Sequence, residues 1–326
     1  MFSSPGLIVS LQRRLIALAP VLVAIFLSPT AGHARVSFDA LRRDGYGMIE
    51  LNRPEPNVLL AEATINGRKA RLIVDTGWSG DGITVKSDFA QTLRSPVEGV
   101  KGFGHSASGQ ALTGFKKGIA DTMTLGNVLM RQVPVYFGDI PSLRDASTRS
   151  MHADGFIGSG FLSTCSGIVD LHNLRLYLRP PGTGRRAIIG AAMKAQGLAE
   201  VPFHIIQTNC LVTVEINGAP GIMVLDTGAT FAGVDERFVP QMKAKARAAR
   251  ARAIDAAGIE RETKLTTLQS FRIAGVNVRA PDLRVGRYGF YDATHGKIIG
   301  LLGMDILGTN GTIIDFGQKK LYFYPL

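Results

Sequence analysis

Short apolar runs separated by turn residues make up most of the chain. Each run has roughly four to eight residues and ends at Gly, Asn, Asp or Pro, a pattern typical of β-strands. At 66–67 and 217–218 an Asn-Gly pair lies between two such runs, and this arrangement predicts a β-hairpin. The sequence therefore predicts a mainly β protein.

The second half of the chain repeats the first. The stretch "NVLLAEATINGRKARLIVDTG" (57–77) resembles "NCLVTVEINGAPGIMVLDTG" (209–228), and both end in Asp-Thr-Gly. Further along, "DGFIGSGFL" (154–162) parallels "IGLLGMDIL" (299–307). Because these landmarks keep the same order and nearly the same spacing, the sequence indicates one fold used twice.

The repeat sets the expected domain boundaries. Residues 35–180 form an N-terminal lobe and residues 201–326 a C-terminal lobe, joined by a linker at 181–200. The linker is predicted from the Pro- and Gly-rich sequence "RPPGTGRR". A short helix or an extended connector is expected after it.

One segment departs from the strand pattern. Residues 235–253, "DERFVPQMKAKARAARARA", are rich in Ala, Lys and Arg and predict a helix. The basic residues fall on several faces of that helix. A solvated helix is therefore favoured over a binding site for an anionic partner.

The first 34 residues differ from the rest in composition. Arg13 and Arg14 precede the apolar run "LIALAPVLVAIFL", and small residues follow it, as in a secretory signal peptide. The run is shorter than the roughly 20 apolar residues of a transmembrane helix, but an uncleaved membrane anchor is an alternative. The mature chain is expected to be exported, to the periplasm or outside the cell.

Charge and cysteine content narrow the expected partners. The formal net charge is +11, but Lys and Arg are spread along the chain without a nucleic-acid-binding motif, so no nucleic acid is expected. The positive charge favours acidic substrates or weak association with an anionic membrane surface. Cys165 and Cys210 either pair in an oxidising compartment or remain buried thiols. No Cys/His cluster has metal-ligand spacing, so neither metal nor cofactor is expected.

Two Asp-Thr-Gly loops carry the candidate chemistry. One such loop is a common turn sequence, but Asp75 and Asp226 occupy equivalent points of a duplicated β unit. If the halves pack about a pseudo-twofold axis, the two loops meet at that axis. Two carboxyl groups at close range share one proton, and their pKa values separate.

These motifs resemble those of the aspartic proteases of the pepsin and retropepsin clan. Besides the two Asp-Thr-Gly loops, the resemblance rests on the apolar-apolar-Gly elements at 156–158 and 301–303. It covers nearly all of the mature chain and implies two β-barrel-like lobes with the active-site cleft between them. Because both lobes lie in one chain, the resemblance implies a monomer that hydrolyses peptide or protein substrates.

The resemblance also implies a role for each motif residue. Asp75 and Asp226 activate a water molecule as a general acid/base pair, without a covalent intermediate. The threonines hold the two loops together, and the glycines let backbone amides approach the carboxylates. These supporting residues are Thr76, Gly77, Thr227 and Gly228.

Two positions depart from the pepsin-like pattern. Trp78 and Ala229 follow the motif glycines, where pepsin-like enzymes usually have a Ser or Thr whose hydroxyl bonds a catalytic carboxylate. Loss of that donor raises a carboxyl pKa, so an activity optimum less acidic than that of pepsin is predicted. Ser79 and Thr230 are alternative donors. Trp78 also leaves open a catalytically silent retropepsin-like module that binds peptides in a blocked cleft.

The family covers its cleft with a hairpin from the first lobe, the flap. The glycine-rich stretch 99–115 lies in the expected interval. A flap is favoured over a phosphate-binding loop because no helix pattern follows the glycines. The candidate flap residues are Gly102, Phe103, Gly104 and His105.

Overall fold

The structure is a computed structural model. It describes residues 36–54, 57–93, 97–101, 103–144 and 151–326. The expected signal peptide at 1–34 lies outside these residues and stays a prediction. No helix within the described ranges is long and apolar enough to span a membrane.

Strands dominate the described chain, and its helices are short. In chain order the strands are β1 (Gly47–Glu50), β2 (Leu60–Ile65), β3 (Arg68–Asp75), β4 (Ile83–Lys86), β5 (Glu98–Gly99), β6 (Gly104–His105), β7 (Ala111–Leu112), β8 (Lys116–Leu125), β9 (Val128–Gly138), β10 (Gly155–Gly158), β11 (Ile168–Asp170), β12 (Arg175–Leu178), β13 (Ala199–Pro202), β14 (His204–Ile206), β15 (Asn209–Ile216), β16 (Ala219–Leu225), β17 (Gly233–Asp235), β18 (Ala246–Ile254), β19 (Glu260–Thr266), β20 (Phe271–Ile273), β21 (Val276–Asn277), β22 (Leu283–Gly286), β23 (Ile298–Leu302), β24 (Ile313–Asp315) and β25 (Lys320–Phe323). The α-helices are α1 (Phe38–Arg43), α2 (Ser159–Thr164), α3 (Gly190–Ala195), α4 (Gly289–Ala293) and α5 (Met304–Leu307), and two 3₁₀-helices lie at Ser87–Thr92 and Pro141–Arg144. The predicted mainly β fold is confirmed.

The N-terminal lobe contains a closed barrel of six strands. The strands are neighbours in the order β2-β3-β10-β4-β9-β8, and β8 pairs back with β2. β10 carries the Phe-Ile-Gly element between β3 and β4, and all four of its residues are buried. The apolar run around Ile157 therefore reflects a strand whose two faces are both covered.

The C-terminal lobe repeats this topology in an open sheet. β23 carries the second apolar-apolar-Gly element and lies parallel to β16 and antiparallel to β17, as β10 lies relative to β3 and β4. β17 pairs in parallel with β22, as β4 does with β9. The duplication read from the sequence is thus a duplication of strand pairing.

A third sheet joins the two halves. Its order is β1-β12-β11-β24-β25-β13, and the antiparallel pair β11–β24 at its centre contains one strand from each half. Val169 faces Ile314 in this pair, and both are fully buried. The sheet therefore fixes the two halves to each other below the lobes.

The two predicted hairpins have the backbone that their Asn-Gly pairs require. β2 and β3 are joined at Asn66 and Gly67, with φ values of 46° and 85°, and β15 and β16 at Asn217 and Gly218, with 50° and 84°. Positive φ at both central residues is the geometry of a type I′ turn, which Asn-Gly adopts readily. The turn fixes the pairing register of each hairpin, and the second strand of each hairpin leads into an Asp-Thr-Gly loop.

The helix predicted over 235–253 is wrong. The segment starts at the end of β17, continues through turns around Pro240, and enters β18, which pairs with β19. Proline interrupts a helix because it lacks an amide donor and clashes with the preceding turn. Strand pairing then overrides the helix propensity of Ala and Arg, and Arg247 binds Asp282 at 2.7 Å across the sheet edge.

Two further expectations concern the linker and the cysteines. Of the two forms expected after "RPPGTGRR", the short helix is present as α3. Cys165 and Cys210 are both free and buried, so the thiol alternative is the one observed. Burial raises the pKa of each thiol to about 12, which makes both unreactive near neutral pH.

Candidate active site

Strands β3 and β16 deliver the two Asp-Thr-Gly loops to one place. β3 ends at Asp75, and β16 ends at Leu225, directly before Asp226. The side chains of the two aspartates are in hydrogen-bonding contact. The structure thus brings together the two residues that the sequence placed at equivalent ends of the repeat.

Reciprocal hydrogen bonds of Thr76 and Thr227 hold the loops together. The amide of each threonine donates to the hydroxyl of the other, at 3.0 Å in both directions. The hydroxyl of Thr76 donates to the carbonyl of Leu225 at 2.8 Å, and that of Thr227 to the carbonyl of Val74 at 2.7 Å. Neither threonine is exposed, so four hydrogen bonds cross between the lobes away from water.

Gly77 and Gly228 allow the loops to approach this closely. A Cβ at Gly77 would lie against the carboxyl group of Asp226, and a Cβ at Gly228 against that of Asp75. Any side chain at either position would push the two carboxyl groups apart.

The environment of the pair raises both pKa values. Burial, followed by the charge of Asp226, raises the pKa of Asp75 well above its ordinary value. Burial also raises the pKa of Asp226, against the opposing hydrogen bonds from Asp75 and from the amides of Ala229 and Gly228. Two carboxyl groups in contact hold one proton between them over a wide pH range, as general acid/base chemistry requires.

Backbone amides supply the hydrogen bonds that oppose this rise. Oδ1 of Asp75 accepts from the amides of Gly77 at 2.8 Å and Trp78 at 3.1 Å. Oδ1 of Asp226 accepts from the amides of Gly228 and Ala229, both at 3.0 Å. Trp78 and Ala229 thus bond the carboxyls through their backbones.

The two residues that carry the alternative hydroxyls, Ser79 and Thr230, line the cleft. Ser79 Oγ lies close to Gly104 of the candidate flap, 3.3 Å from the position of a Cβ there. Thr230 lines the cleft next to Ala229. The less acidic optimum expected from the missing Ser or Thr stays a prediction.

Trp78 turns its ring into the N-terminal lobe. The ring stacks on Phe156 with 4.3 Å between centroids, and its Nε1 donates to the hydroxyl of Thr84 at 2.8 Å. The side chain is 5% exposed. Above the aspartates a cleft of about 770 Å³ remains open, so Trp78 forms a wall of this cleft instead of filling it.

The candidate flap forms a small hairpin at the cleft. β6 contains Gly104 and His105 and pairs with β7, and both residues line the cleft. Phe103 stacks on Phe115 at 4.2 Å between centroids and anchors the hairpin to the lobe, while His105 is exposed. Gly102 lies outside the described residues.

Comparison with known proteins agrees with this geometry. The sequence model of the family described as aspartyl protease matches the chain twice, over residues 61–161 and 212–306. Each match contains one Asp-Thr-Gly loop and one apolar-apolar-Gly element. The chain belongs to the aspartyl protease family.

One solved structure with low sequence identity also matches the chain. The solved structure of the aspartic proteinase from Irpex lacteus is 13% identical and superposes with a TM-score of 0.49, covering 86% of this chain and 97% of that one. No curated protein matches the sequence.

A second hairpin over the cleft was missed by the sequence analysis, because its first strand lies in the segment predicted as a helix. β18 and β19 extend from the C-terminal lobe, and residues 256–257 at their turn pack on the apolar cluster of the N-terminal lobe. Oδ2 of Asp255 accepts from the amide of Ser108 at 3.1 Å, and the amide of Gly289 donates to the carbonyl of Ala107 at 2.9 Å. The tips of both hairpins thus meet at the cleft that contains the aspartates. The alternation Arg-Ala-Arg-Ala at 250–253 was the available signal for a strand.

The cleft contains carboxyls, arginines and hydroxyls but lacks the usual ligand sets of metals. In the ranges that the structure describes, no group of three or more His, Cys, Asp or Glu side chains is arranged to hold a metal ion. The chemistry that this site can perform with its own residues is proton transfer by the paired carboxyls.

Proposed function

We propose that this member of the aspartyl protease family is an exported endopeptidase that hydrolyses peptide bonds with a water molecule activated by Asp75 and Asp226. The observation that carries the proposal is the contact between two carboxyl groups with raised pKa values at the floor of a large cleft. A merely structural pair of aspartates would not need a cleft wide enough for a peptide.

The reaction follows from the shared proton. The ionised carboxyl takes a proton from water, whose oxygen attacks the carbonyl carbon of the scissile bond, while the protonated carboxyl donates to the carbonyl oxygen. The tetrahedral diol then collapses. Its C–N bond breaks as the carboxyl that took the proton from water gives it to the leaving nitrogen, and the other carboxyl takes a proton back from a diol hydroxyl. The products are a carboxylic acid and an amine. The proton belongs to the pair, so the two roles are not assigned to individual aspartates.

The rest of the site supports this chemistry by position. The reciprocal hydrogen bonds of Thr76 and Thr227 and the small size of the two glycines hold the carboxyls in contact. The two hairpins partly exclude water from the cleft, which strengthens electrostatic interactions inside it. Because one chain supplies both aspartates, we propose a monomer. Export is proposed from the basic and apolar pattern of the first 34 residues alone.

The test is cleavage of an unbiased peptide mixture by purified residues 35–326, from acid to neutral pH. Asp75→Asn and Asp226→Asn are assayed alongside, each checked for folding by circular dichroism. We expect cleavage by the wild type and a loss of about 10³-fold or more in both variants, since each removes half of the acid/base pair. Cleavage that survives in either folded variant would contradict the proposal. Peptide binding without cleavage would favour the catalytically silent module.

A further inference from the structure

The two walls of the cleft differ in chemistry although the lobes share one fold. On the side of Asp75 the wall contains an aromatic pair, Trp78 and Phe156, stacked on each other. On the side of Asp226 the wall contains Arg261, Arg284 and other arginines. The arginines that line the cleft therefore lie on the Asp226 side, here called the basic wall, and the aromatic pair lies on the Asp75 side.

The strand register shows which residue of the N-terminal lobe is equivalent to Arg284. In the N-terminal lobe, Phe156 faces Thr84, which faces Tyr136 on the next strand. In the C-terminal lobe the matching path runs from Leu301 through Gly233 to Arg284. Arg284 thus replaces the aromatic residue Tyr136 at the equivalent position of the second lobe.

The neighbouring arginines of the cleft are already paired with carboxylates. Each binds an Asp or Glu from β19, from the turn that precedes β19 or from the residue that follows β17. These pairs are Arg252 with Glu260 (3.2 Å), Arg261 with Asp255 (3.5 Å) and Arg287 with Glu236 (2.6 Å).

Arg284 is different. Its Nη1 is buried and has no hydrogen-bond partner within the part of the chain that the structure describes. The guanidinium lies over the ring of Phe231, 4.5 Å from its centroid, which fixes its plane. Burial raises the pKa of the nearby Asp305, and the charge of Arg284 opposes this rise only slightly. The carboxyl of Asp305 instead takes hydrogen bonds from the amides of Ala232 and Ile306.

Tyr288 lines the same cleft as this guanidinium and the dyad. Arg261, Arg284 and Asp226 border the cleft together with Tyr288. Burial is the main cause that raises the pKa of Tyr288 to about 12, and the hydroxyl therefore keeps its proton and can donate to an anion.

We propose that Arg284, assisted by Tyr288, binds a peptide carboxylate on the Asp226 side of the scissile bond and makes the protein selective for acidic substrates. The inference rests on the proposed peptide-hydrolysing function. Arg284 is half-buried and lines the cleft, and its buried Nη1 is a donor that is costly to leave without a partner. A carboxylate binds a guanidinium through two parallel hydrogen bonds. The carboxylate comes from a Glu or Asp side chain or from the C-terminus of a peptide.

The test compares matched peptides built on the preferred cut site or, if nothing is cut, on the tightest-binding peptide of the same mixture. One pair differs by Glu against Gln at the position next to the basic wall, and a second pair by a C-terminal acid against an amide. Binding is measured with Asp75→Asn, which holds peptides without cutting them, and kcat/KM with the protein that retains both aspartates. Each background also carries Arg284→Gln or, as the control, Arg287→Gln, which removes a guanidinium that Glu236 already neutralises. All assays run at pH 6, where the side chain of Glu is ionised.

We expect the acidic member of one pair to bind and react about ten- to a hundredfold better than its neutral partner. Arg284→Gln brings this ratio below about twofold, and Arg287→Gln keeps it. Which pair responds distinguishes a side-chain carboxylate from a C-terminal one. If Arg284→Gln fails to fold, Arg284→Lys replaces it. It keeps the charge but loses the bidentate geometry, and a fall of the ratio by at least about threefold is expected.

Equal binding of the acidic and neutral members of both pairs would overturn the inference, as would a preference that survives in Arg284→Gln. The two proposals fail separately. Peptides that are cut without acidic preference refute the role of Arg284 and leave hydrolysis intact. An acidic binding preference lost in Arg284→Gln, from a protein that cuts nothing, supports Arg284 and refutes hydrolysis.

Discussion

The reciprocal hydrogen bonds of Thr76 and Thr227 predict how much the substitution Thr227→Val lowers the free energy of unfolding. Valine has nearly the shape of threonine, so the substitution leaves no large cavity and removes only the hydroxyl. That hydroxyl accepts a hydrogen bond from the amide of Thr76 at 3.0 Å and donates one to the carbonyl of Val74 at 2.7 Å. Thr227 is fully buried, so water cannot replace either bond. Each buried partner left unsatisfied costs about 1–3 kcal/mol. The free energy of unfolding is therefore expected to fall by about 2–6 kcal/mol.

A buried threonine elsewhere in the fold provides the matched control. Thr266 in β19 is also unexposed, and its hydroxyl has no hydrogen-bond partner among the described residues. Thr266→Val should be neutral or slightly stabilising, because it replaces an unsatisfied polar group by a methyl group. The assay is urea unfolding followed by circular dichroism and by tryptophan fluorescence, with coincident transitions as the check for two-state behaviour. Unfolding free energies of Thr227→Val and Thr266→Val that agree within about 0.5 kcal/mol would refute the argument.

Three further predictions concern pH and the hairpins. Ala229→Ser supplies a hydroxyl beside Asp226 that favours its ionised form, so the pH profile of kcat/KM should move to lower pH; an unchanged profile would show that the missing donor does not set the optimum. Burial raises the pKa of Asp315 to about 6, above its unfolded value of about 4, so the stability that the protonated carboxyl contributes is lost as pH rises from about 4 to about 6. The stability of Asp315→Asn relative to the wild type should thus increase by up to about 3 kcal/mol between pH 4 and pH 8 in urea unfolding, and a constant difference would contradict this. Asp255→Ala removes the acceptor for the amide of Ser108, so amide hydrogen exchange at 104–112 should accelerate, whereas unchanged exchange would mean that the hairpin tips do not restrain each other.

The parts of the fold that depend on neighbouring residues, such as the two hairpins, could be predicted from the sequence. The Asn-Gly pairs specified hairpins because few residues adopt positive φ at two successive positions. The repeated spacing of Asp-Thr-Gly and apolar-apolar-Gly then specified which strands are equivalent. Asp75 and Asp226 could be proposed as a pair from this repetition alone.

The remaining features depend on contacts between segments far apart in sequence. The second hairpin was missed because the Ala- and Arg-rich composition of 235–253 favours a helix, and only pairing with β19 makes residues 246–254 a strand. The position of Arg284 follows from the register of three neighbouring strands, which composition does not encode. The ring of Trp78 turns into the lobe because it donates a hydrogen bond to Thr84 and stacks on Phe156. These contacts depend on tertiary packing and could not be predicted from the local sequence.

The most direct test of the central claim is a pH titration of the carboxyl carbons of Asp75 and Asp226 by NMR with ¹³C-labelled aspartate. In the wild type we predict two linked steps, with one pKa well above that of an ordinary aspartate. In Asp226→Asn, Asp75 should titrate in a single step at lower pH, because the neighbouring charge is gone. Two independent titrations near the ordinary value, unchanged in the variant, would contradict a shared proton and with it the proposed mechanism.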